Sequence, residues 1–229
     1  MATILSIETA TSVCSVAIHS RGELISVAEV NQQGAHAQQL MLLIEQVLAD
    51  SGLAYSDLDA LAVSEGPGSY TGLRIGVSTA KGLSFGLDKP LIGVNTLQAL
   101  ASAVPVKSGE LILPVMDARR MEVYYEVFDS GLNSLVPLGS EVLREDSFEN
   151  FLEKGRVYFM GDALDKLKTV VHHPNVRILE SIRFSARHLG QLAYAKWLKS
   201  ESVDLAYFVP NYLKEFKALQ SKKNPLLNL

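Results

Sequence analysis

Cysteine is nearly absent from this chain of 229 residues, in which Cys14 is the single example. A disulfide within the chain is therefore excluded, which is typical of proteins of the reducing cytoplasm. No apolar run approaches the roughly 20 residues that a membrane-spanning helix needs. The first residues also lack the basic stretch and apolar segment of a secretory signal. We therefore expect a cytoplasmic protein that makes no contact with a membrane.

Basic charge is also in deficit, with 21 lysines and arginines against 25 aspartates and glutamates, a net charge of −4. A protein that binds nucleic acid by itself usually presents a basic face, and this balance provides none. The exception is a C-terminal tail that carries Lys214, Lys217, Lys222 and Lys223. Such a tail is more often solvated than bound, and contact with RNA or with an acidic partner is the alternative.

Apolar residues make up 48% of the chain, enough for the core of one large domain or two small ones. Alternating β-type residues predict a three-stranded antiparallel meander at 4–7, 13–18 and 24–30, with Glu8 ending the first strand. An amphipathic helix follows and ends at Gly52. A strand at 58–63, a helix at 71–86, a strand at 90–94 and a helix at 96–104 complete this half. Strands followed by strand–helix alternation predict a mixed sheet covered by helices.

The same arrangement returns after residue 110. Strands at 111–117, 121–129 and 135–143 repeat the meander, with Asp117 ending the first, and a strand at 156–160 and a helix at 185–200 follow. Two such copies resemble the α/β fold of actin, sugar kinases and heat-shock ATPases, in which two lobes of mixed sheet with helices face each other. Here the second lobe is reduced. We expect a first lobe at 1–104, completed by 205–229, and a second lobe at 105–204.

A glycine-rich turn at 66–72 joins the strand at 58–63 to the next helix. Backbone N–H groups at such a turn can bind an anion, but the spacing matches neither the P-loop nor the dinucleotide-binding pattern. The alternative is a structural turn in which Ser69 or Thr71 caps the helix. In a nucleotide cleft, the carboxylates at the strand ends would hold a metal ion or activate a water molecule. The candidate nucleotide or anion residues are Glu8, Thr9, Gly66, Gly68, Ser69 and Asp117.

The helix after this turn carries small residues at a four-residue spacing, Gly72, Gly76 and Ala80. Each glycine inside a helix costs about 1 kcal/mol relative to alanine, so close approach by another backbone is the physical reason to expect them. That backbone belongs either to the chain's own sheet or to a partner. Periodicity does not decide between the two.

No catalytic constellation follows from the residues alone. His36 opens the first helix, His172 and His173 fall in a loop, and His188 falls in the late helix. None of them has the spacing of a zinc-binding pair, and the serines and Cys14 have no local nucleophile signature. We predict no catalytic residue and no metal site in this chain.

Several motifs are distinctive when taken together: ILSIETAT at 4–11 with CSVA at 14–17, GPGSYTGLRIG at 66–76 with AKGL at 80–83, GVNTL at 93–97, and PNYLK at 210–214. In this combination the chain resembles the bacterial TsaB (YeaZ) family. The likeness is specific from residue 3 to about residue 104, thins over 105–205, and returns at 210–213. The string GPGSYTGLRIG discriminates best.

This resemblance implies a non-catalytic partner of TsaD, a homologous metal-bearing enzyme. With a TsaE-like ATPase and a TsaC-type synthase, the pair installs threonylcarbamoyl on the adenosine beside the anticodon of ANN-decoding tRNAs. It also implies that the chain meets tRNA only as part of the complex. Family members pair with TsaD through helices of the first lobe and self-pair through the same surface. The expected interface residues are His36, Gln39, Leu40, Leu43, Gly72, Ile75, Gly76 and Thr79.

Departures from the TsaD pattern favour this partner role. TsaD-like proteins carry a metal-binding histidine pair where this chain has Thr96 and Leu100, whose side chains do not suit a transition metal. The first strand ends in Glu8 where the fold usually has aspartate, and the second-lobe glycine pair is reduced to Gly161-Asp162-Ala163. We therefore expect no tightly bound cofactor, with ATP or ADP bound weakly or at the junction of the complex.

Two other functions stay open at this point. One is a self-sufficient ATP-dependent phosphotransferase or peptidase of the same fold, which needs a working cleft that includes Glu8 and Asp117. The other is a structural homodimer with no part in tRNA modification.

Overall fold

The computed structural model describes residues 2–213. Its strands are β1 (Thr3–Glu8), β2 (Val13–Ser20), β3 (Glu23–Asn31), β4 (Ala60–Gly66), β5 (Leu91–Asn95), β6 (Leu111–Asp117), β7 (Glu122–Phe128), β8 (Ser134–Val142), β9 (Val157–Gly161) and β10 (Val176–Ile178). Its helices are α1 (His36–Ser51), α2 (Tyr70–Leu87), α3 (Thr96–Ala101), α4 (Glu149–Leu152), α5 (Leu164–Val170) and α6 (Gly190–Leu198), with 3₁₀ turns at Tyr55–Asp57 and Ala186–His188. In this part of the chain, no helix combines the length and apolar character needed to cross a bilayer.

The strands form two five-stranded mixed sheets. The first has the order β3-β2-β1-β4-β5, in which β1, β2 and β3 are antiparallel neighbours and β1, β4 and β5 are parallel. The second has the corresponding order β8-β7-β6-β9-β10, again with an antiparallel meander followed by parallel strands. The predicted repeat of the meander is therefore confirmed.

Both faces of the first sheet are covered, because successive side chains of a strand point to opposite faces. Leu5 and Ile7 share a core with apolar side chains of α1 and α2. Ile4 shares a separate core with Leu189 and Ala193 at the start of α6. Helices α1 and α2 therefore lie on one face of the sheet, and α6 lies on the other.

The helix α6 belongs spatially to the first sheet, although it falls within the 105–204 segment that we assigned to the second lobe. A hydrogen bond supports this placement, because Lys196 Nζ of α6 donates to the Gly93 carbonyl of β5 at 2.6 Å. The boundaries of the two lobes remain a prediction.

The second half also contains elements that the sequence patterns did not predict, namely α4, α5 and β10. The helix predicted at 185–200 is shorter, because a 3₁₀ turn capped by Ser185 precedes α6. The first helix ends as predicted at Gly52, which adopts the left-handed conformation with φ 67°.

Residues 203–211, here called the C-terminal strap, run from the start of β5 to the end of β4. Val203 N–H donates to the Leu91 carbonyl at 2.9 Å, and Asn211 N–H donates to the Glu65 carbonyl at 2.7 Å. Lys81 Nζ of α2 donates to the Phe208 carbonyl at 3.0 Å. The strap thus ends beside the turn that leads into α2. The basic tail predicted from Lys214 onward lies outside the described residues.

Candidate functional site

The glycine-rich turn before α2 packs tightly against the turn between β1 and β2. Ser69 N–H donates to the Ala10 carbonyl at 2.7 Å, and the Ser69 side chain caps α2 by accepting from Gly72 N–H at 3.3 Å. A Cβ on Gly68 would collide with the backbone of Ala10. The predicted serine cap is confirmed, and the turn contacts protein where an anion cradle would need open space.

The small-residue stripe of α2 faces inward, which corrects its assignment to a partner interface. A Cβ on Gly72 would overlap the Thr9 carbonyl oxygen, and one on Gly76 would overlap Thr9 Oγ1. Both glycines and Ala80 are buried. The close approach that the spacing predicted is therefore made by the chain's own first turn.

Glu8 lies at the base of this packed turn and is 1% exposed. Its carboxylate accepts from Ala10 N–H at 2.6 Å and from Ser64 Oγ at 3.0 Å. Burial raises the pKa of Glu8 from 4.5 to about 7, against the lowering effect of these hydrogen bonds. Thr9 Oγ1 is buried nearby without a hydrogen-bond partner among the described residues. Glu8 and Thr9 thus support the turn from inside the core.

Asp117 lies apart from this group, at the end of β6 in the second sheet. Its carboxylate accepts from Lys166 Nζ at 2.6 Å and from Arg119 N–H at 2.5 Å. Its N–H donates to Asp162 Oδ1 at 2.8 Å. The structure therefore brings Glu8, Thr9, Gly66, Gly68 and Ser69 together where the two turns pack, and leaves Asp117 in a surface ion pair.

A cleft of about 340 Å³ separates the β1–β2 turn from the second sheet. None of the six predicted nucleotide residues lines it. Its charged lining residues are Asp162, Asp165, Lys168, Glu180 and Arg183. Lys168 is already paired with Glu180, and Asp165 lies 3.7 Å away. A phosphate entering this cleft would meet three carboxylates, a lysine that is already paired, and Arg183.

The outward faces of α1 and α2 carry large apolar side chains in solvent. Met41 and Leu42 of α1 are 41% and 57% exposed, and Phe85 of α2 is 83% exposed. A Cβ on Gly82 or Gly86 would meet no atom of the described residues within 4 Å. Exposed apolar groups on adjacent helices are a common mark of a protein–protein contact.

The predicted interface residues divide into two groups. His36, Leu40 and Leu43 are buried under α1, as Gly72 and Gly76 are under α2, so these five are corrected to core residues of this chain. Gln39, Ile75 and Thr79 are half-buried and reach the surface. The sequence reasoning missed Met41, Leu42 and Phe85. The sequence did hold a signal for them, because each is an apolar residue at a helix position just outside the buried stripe.

The positions aligned with the TsaD metal pair are occupied by core contacts. Thr96 Oγ1 accepts from Gly66 N–H at 3.1 Å, and Leu100 packs with Met116 and Phe128 of the second sheet. Neither side chain offers the nitrogen or thiolate that a transition metal prefers. These residues do not fit the metal, and we derive no chemistry through it.

Comparisons with known proteins agree with this fold. The family model "TsaD: tRNA N6-adenosine threonylcarbamoyltransferase" matches residues 29–220. The structure resembles YeaZ from Pseudomonas aeruginosa with a TM-score of 0.79 and 27% identity, over 93% of this chain and 100% of that one. An activator of 2-hydroxyisocaproyl-CoA dehydratase from Clostridium difficile matches at TM-score 0.50 and 10% identity, over 87% of this chain and 96% of the activator, which concerns the fold alone. The predicted two-lobed α/β fold is confirmed.

Relatives in sequence carry the name tRNA threonylcarbamoyladenosine biosynthesis protein TsaB. The Haemophilus influenzae protein is 41% identical over 54% of this chain, and the Escherichia coli protein is 38% identical over 58%. This chain spans about half the length of those two relatives, 52% and 57%. The Bacillus subtilis protein is 32% identical over 96% of this chain and 100% of its own length. By this match over nearly its whole length, the chain belongs to the TsaB (YeaZ) family.

Proposed function

We propose that this chain is a non-catalytic activating subunit of a tRNA-modifying complex. In this function it pairs with a TsaD-like enzyme and acts with a TsaE-like ATPase. The complex transfers threonylcarbamoyl from threonylcarbamoyl-AMP to the adenosine beside the anticodon of ANN-decoding tRNAs. The transferase chemistry takes place on the TsaD-like subunit, and this chain meets tRNA only within the complex, in the cytoplasm.

The full-length similarity to Bacillus subtilis TsaB is the observation that carries the proposal. The side-chain contacts support the division of labour. Thr96 and Leu100 take part in packing, and Glu8 is enclosed in the core. Thr96, Leu100 and Glu8 are therefore committed to internal contacts, and Asp117 is paired with Lys166 at the surface.

The partner surface in this proposal is the outward face of α1 and α2. Its apolar centre comprises Met41, Leu42 and Phe85, and its half-buried border includes Gln39, Ile75 and Thr79. The bare positions Gly82 and Gly86 leave room for a second helix to approach α2 closely. A homodimer through the same face would compete with the heterodimer.

A matched pair of substitutions tests this surface. Leu42→Asp places a charge on the proposed face, and Leu135→Asp places one on β8, where Leu135 is 53% exposed. We expect Leu42→Asp to weaken binding to the TsaD-like protein at least about tenfold, a loss of roughly 1.4 kcal/mol or more. Leu135→Asp should leave the affinity unchanged. A folded Leu42→Asp protein that binds and supports tRNA modification normally would contradict the assignment.

Calorimetry of the isolated chain with Mg-ATP addresses the alternative of a self-sufficient enzyme. Weak or absent binding is the expected result, since nucleotide is proposed to bind weakly or at the complex junction. Micromolar binding with turnover by the isolated chain would favour a phosphotransferase instead.

A further inference from the structure

The short helix α3 connects the two sheets. Its apolar residues Leu97, Leu100 and Ala101 share a core with residues of β6 and β7. Gln98 Nε2 adds a polar contact by donating to the Leu132 carbonyl, at 3.3 Å, in the turn between β7 and β8. A displacement of the second sheet would therefore act directly on α3.

The N-cap of α3 makes the buried polar contact of this junction. Asn95 Oδ1 accepts from the N–H groups of Leu97 and Gln98, at 2.8 and 3.1 Å. The amide nitrogen of the same side chain, Nδ2, donates to Glu126 Oε2 of β7 at 2.8 Å. Glu126 is 6% exposed. One asparagine side chain thus caps the helix and holds a buried carboxylate of the opposite sheet.

The next residue carries the connection on to α2. Thr96 Oγ1 accepts from Gly66 N–H at 3.1 Å. Gly66 begins the turn in which Ser69 caps α2. Glu126, Asn95, Thr96 and Gly66 therefore form a continuous series of contacts from the second sheet to the start of the helix that carries the proposed partner surface.

Stability alone does not explain a carboxylate at position 126. Burying a charge is costly unless it is well paired, and an apolar residue of similar size is often as stable or more stable. The amide of Asn95 donates one hydrogen bond to Glu126. We infer that Glu126 is a positioning residue that fixes the turn before α2 by holding Asn95. Its effect on partner binding rests on the proposed function, but its effect on the turn does not.

The experiment reverses the polarity of the contact. Asn95→Asp keeps an oxygen to cap α3 but sets a carboxylate against Glu126 in place of the amide donor. Adding Glu126→Gln restores one donor and one acceptor in the opposite sense. Asn133→Asp is the matched control, because Asn133 Nδ2 donates to Asp129 Oδ2 at 2.9 Å in an exposed turn.

Amide hydrogen exchange of the isolated chain gives the first readout. We expect Asn95→Asp to speed exchange at Gly66 about tenfold, because displacing residue 95 from Glu126 also displaces the neighbouring Thr96 hydroxyl that accepts from Gly66 N–H. In the double variant, the exchange rate of Gly66 should return to within about twofold of the wild-type rate, because the two substitutions compensate each other. The control should leave Gly66 unchanged. Normal exchange at Gly66 in folded Asn95→Asp, or a double variant no better than the single, would overturn the inference.

Affinity for the TsaD-like protein gives the second readout. Binding should weaken in Asn95→Asp and recover in the double variant. If exchange at Gly66 follows the expected pattern while neither variant alters binding, the contact fixes the turn but the partner surface lies elsewhere. That result contradicts the proposed interface and leaves the positioning of the turn in place.

Discussion

At the scale of single residues, the first sheet buries two titratable groups whose pKa values shift in opposite directions, Glu8 and His19. His19 Nδ1 lies 3.1 Å from Ser6 Oγ, and Nε2 lies 3.2 Å from the Arg187 carbonyl, to which it donates. Burial lowers the pKa of His19 from 6.5 to about 4, whereas it raises the pKa of Glu8 from 4.5 to about 7. Both groups are therefore neutral in the folded chain at pH 6, and they have opposite effects on the pH dependence of stability.

Glu8→Gln should remove a decline in stability at neutral pH. Between pH 4.5 and 7 the folded chain binds the Glu8 proton more tightly than the unfolded chain does, so the free energy of unfolding falls as pH rises. The full effect is on the order of 3 kcal/mol. Urea unfolding from pH 4.5 to 8 should show wild type losing stability relative to Glu8→Gln. The exposed Glu23→Gln is the control, and equal slopes for Glu8→Gln and wild type would contradict the prediction.

His19→Gln should alter the acid side instead. Neutral His19 must take up a proton on unfolding below pH 6.5, so its contribution to stability is lost as pH falls from 6.5 through 4. The variant should be less stable than wild type at pH 7, since it disturbs two buried contacts at a cost of about 1–3 kcal/mol. The difference should shrink toward pH 4. Thermal unfolding at pH 4, 5.5 and 7 measures this, and a difference independent of pH would refute it.

At the scale of elements, α2 has two sets of glycines with opposite environments. Gly72 and Gly76 touch the β1–β2 turn, whereas Gly82 and Gly86 face open space. The inner pair allows the helix to lie directly on Thr9. Among residues 2–213, the outer pair has no contact that explains it.

Substituting alanine at one glycine of each set distinguishes the two environments. Gly72→Ala should lower the free energy of unfolding by about 1–3 kcal/mol, because its Cβ meets a backbone carbonyl that cannot move aside. Gly82→Ala should raise it by up to about 1 kcal/mol through helix propensity. Chemical denaturation of both variants gives the comparison. Equal effects of the two substitutions would show that the helix faces are assigned incorrectly.

Whether a segment forms a helix or a strand was largely predictable where its apolar residues recur at a regular spacing. The first meander, α1 and the βα alternation follow from residues such as Leu40, Ile44 and Val47, which recur on one face. Helices α4 and α5 were missed because four and seven residues give too few turns for a period to emerge. The direction of the glycine stripe was not predictable, because a glycine has no side chain whose polarity would indicate a face.

The candidate site was less predictable for a related reason. His36 and Leu40 were expected at an interface because the resemblance concerned whole helices, while burial depends on the rotation of each helix over its sheet. Met41, Leu42 and Phe85 stand beside the apolar stripe of each helix in sequence, and the tertiary packing shows that they lie outside. Glu8 was correctly placed at a strand end, but its enclosure by Ala10 and Ser64 needed the fold.

At the scale of the whole molecule, the two sheets share an apolar core in which Leu100 is 1% exposed. Leu100→Ala should lower the free energy of unfolding by about 2–5 kcal/mol, since it leaves a cavity in the apolar core between the two sheets. The loss should also loosen the approach of the two sheets. Calorimetry should show a lower midpoint and a broader transition, and an unchanged midpoint would contradict this view of the junction.

The C-terminal strap has a consequence for handling the protein. Its Val203 N–H pairs with the Leu91 carbonyl of β5, and its Asn211 N–H pairs with the Glu65 carbonyl near the end of β4. A chain shortened before Val203, by design or by a protease, would uncover a strand rich in apolar residues. Such uncovered strand edges recruit other chains. Shortened forms should therefore aggregate during purification, and segment boundaries for expression are best placed after Asn211.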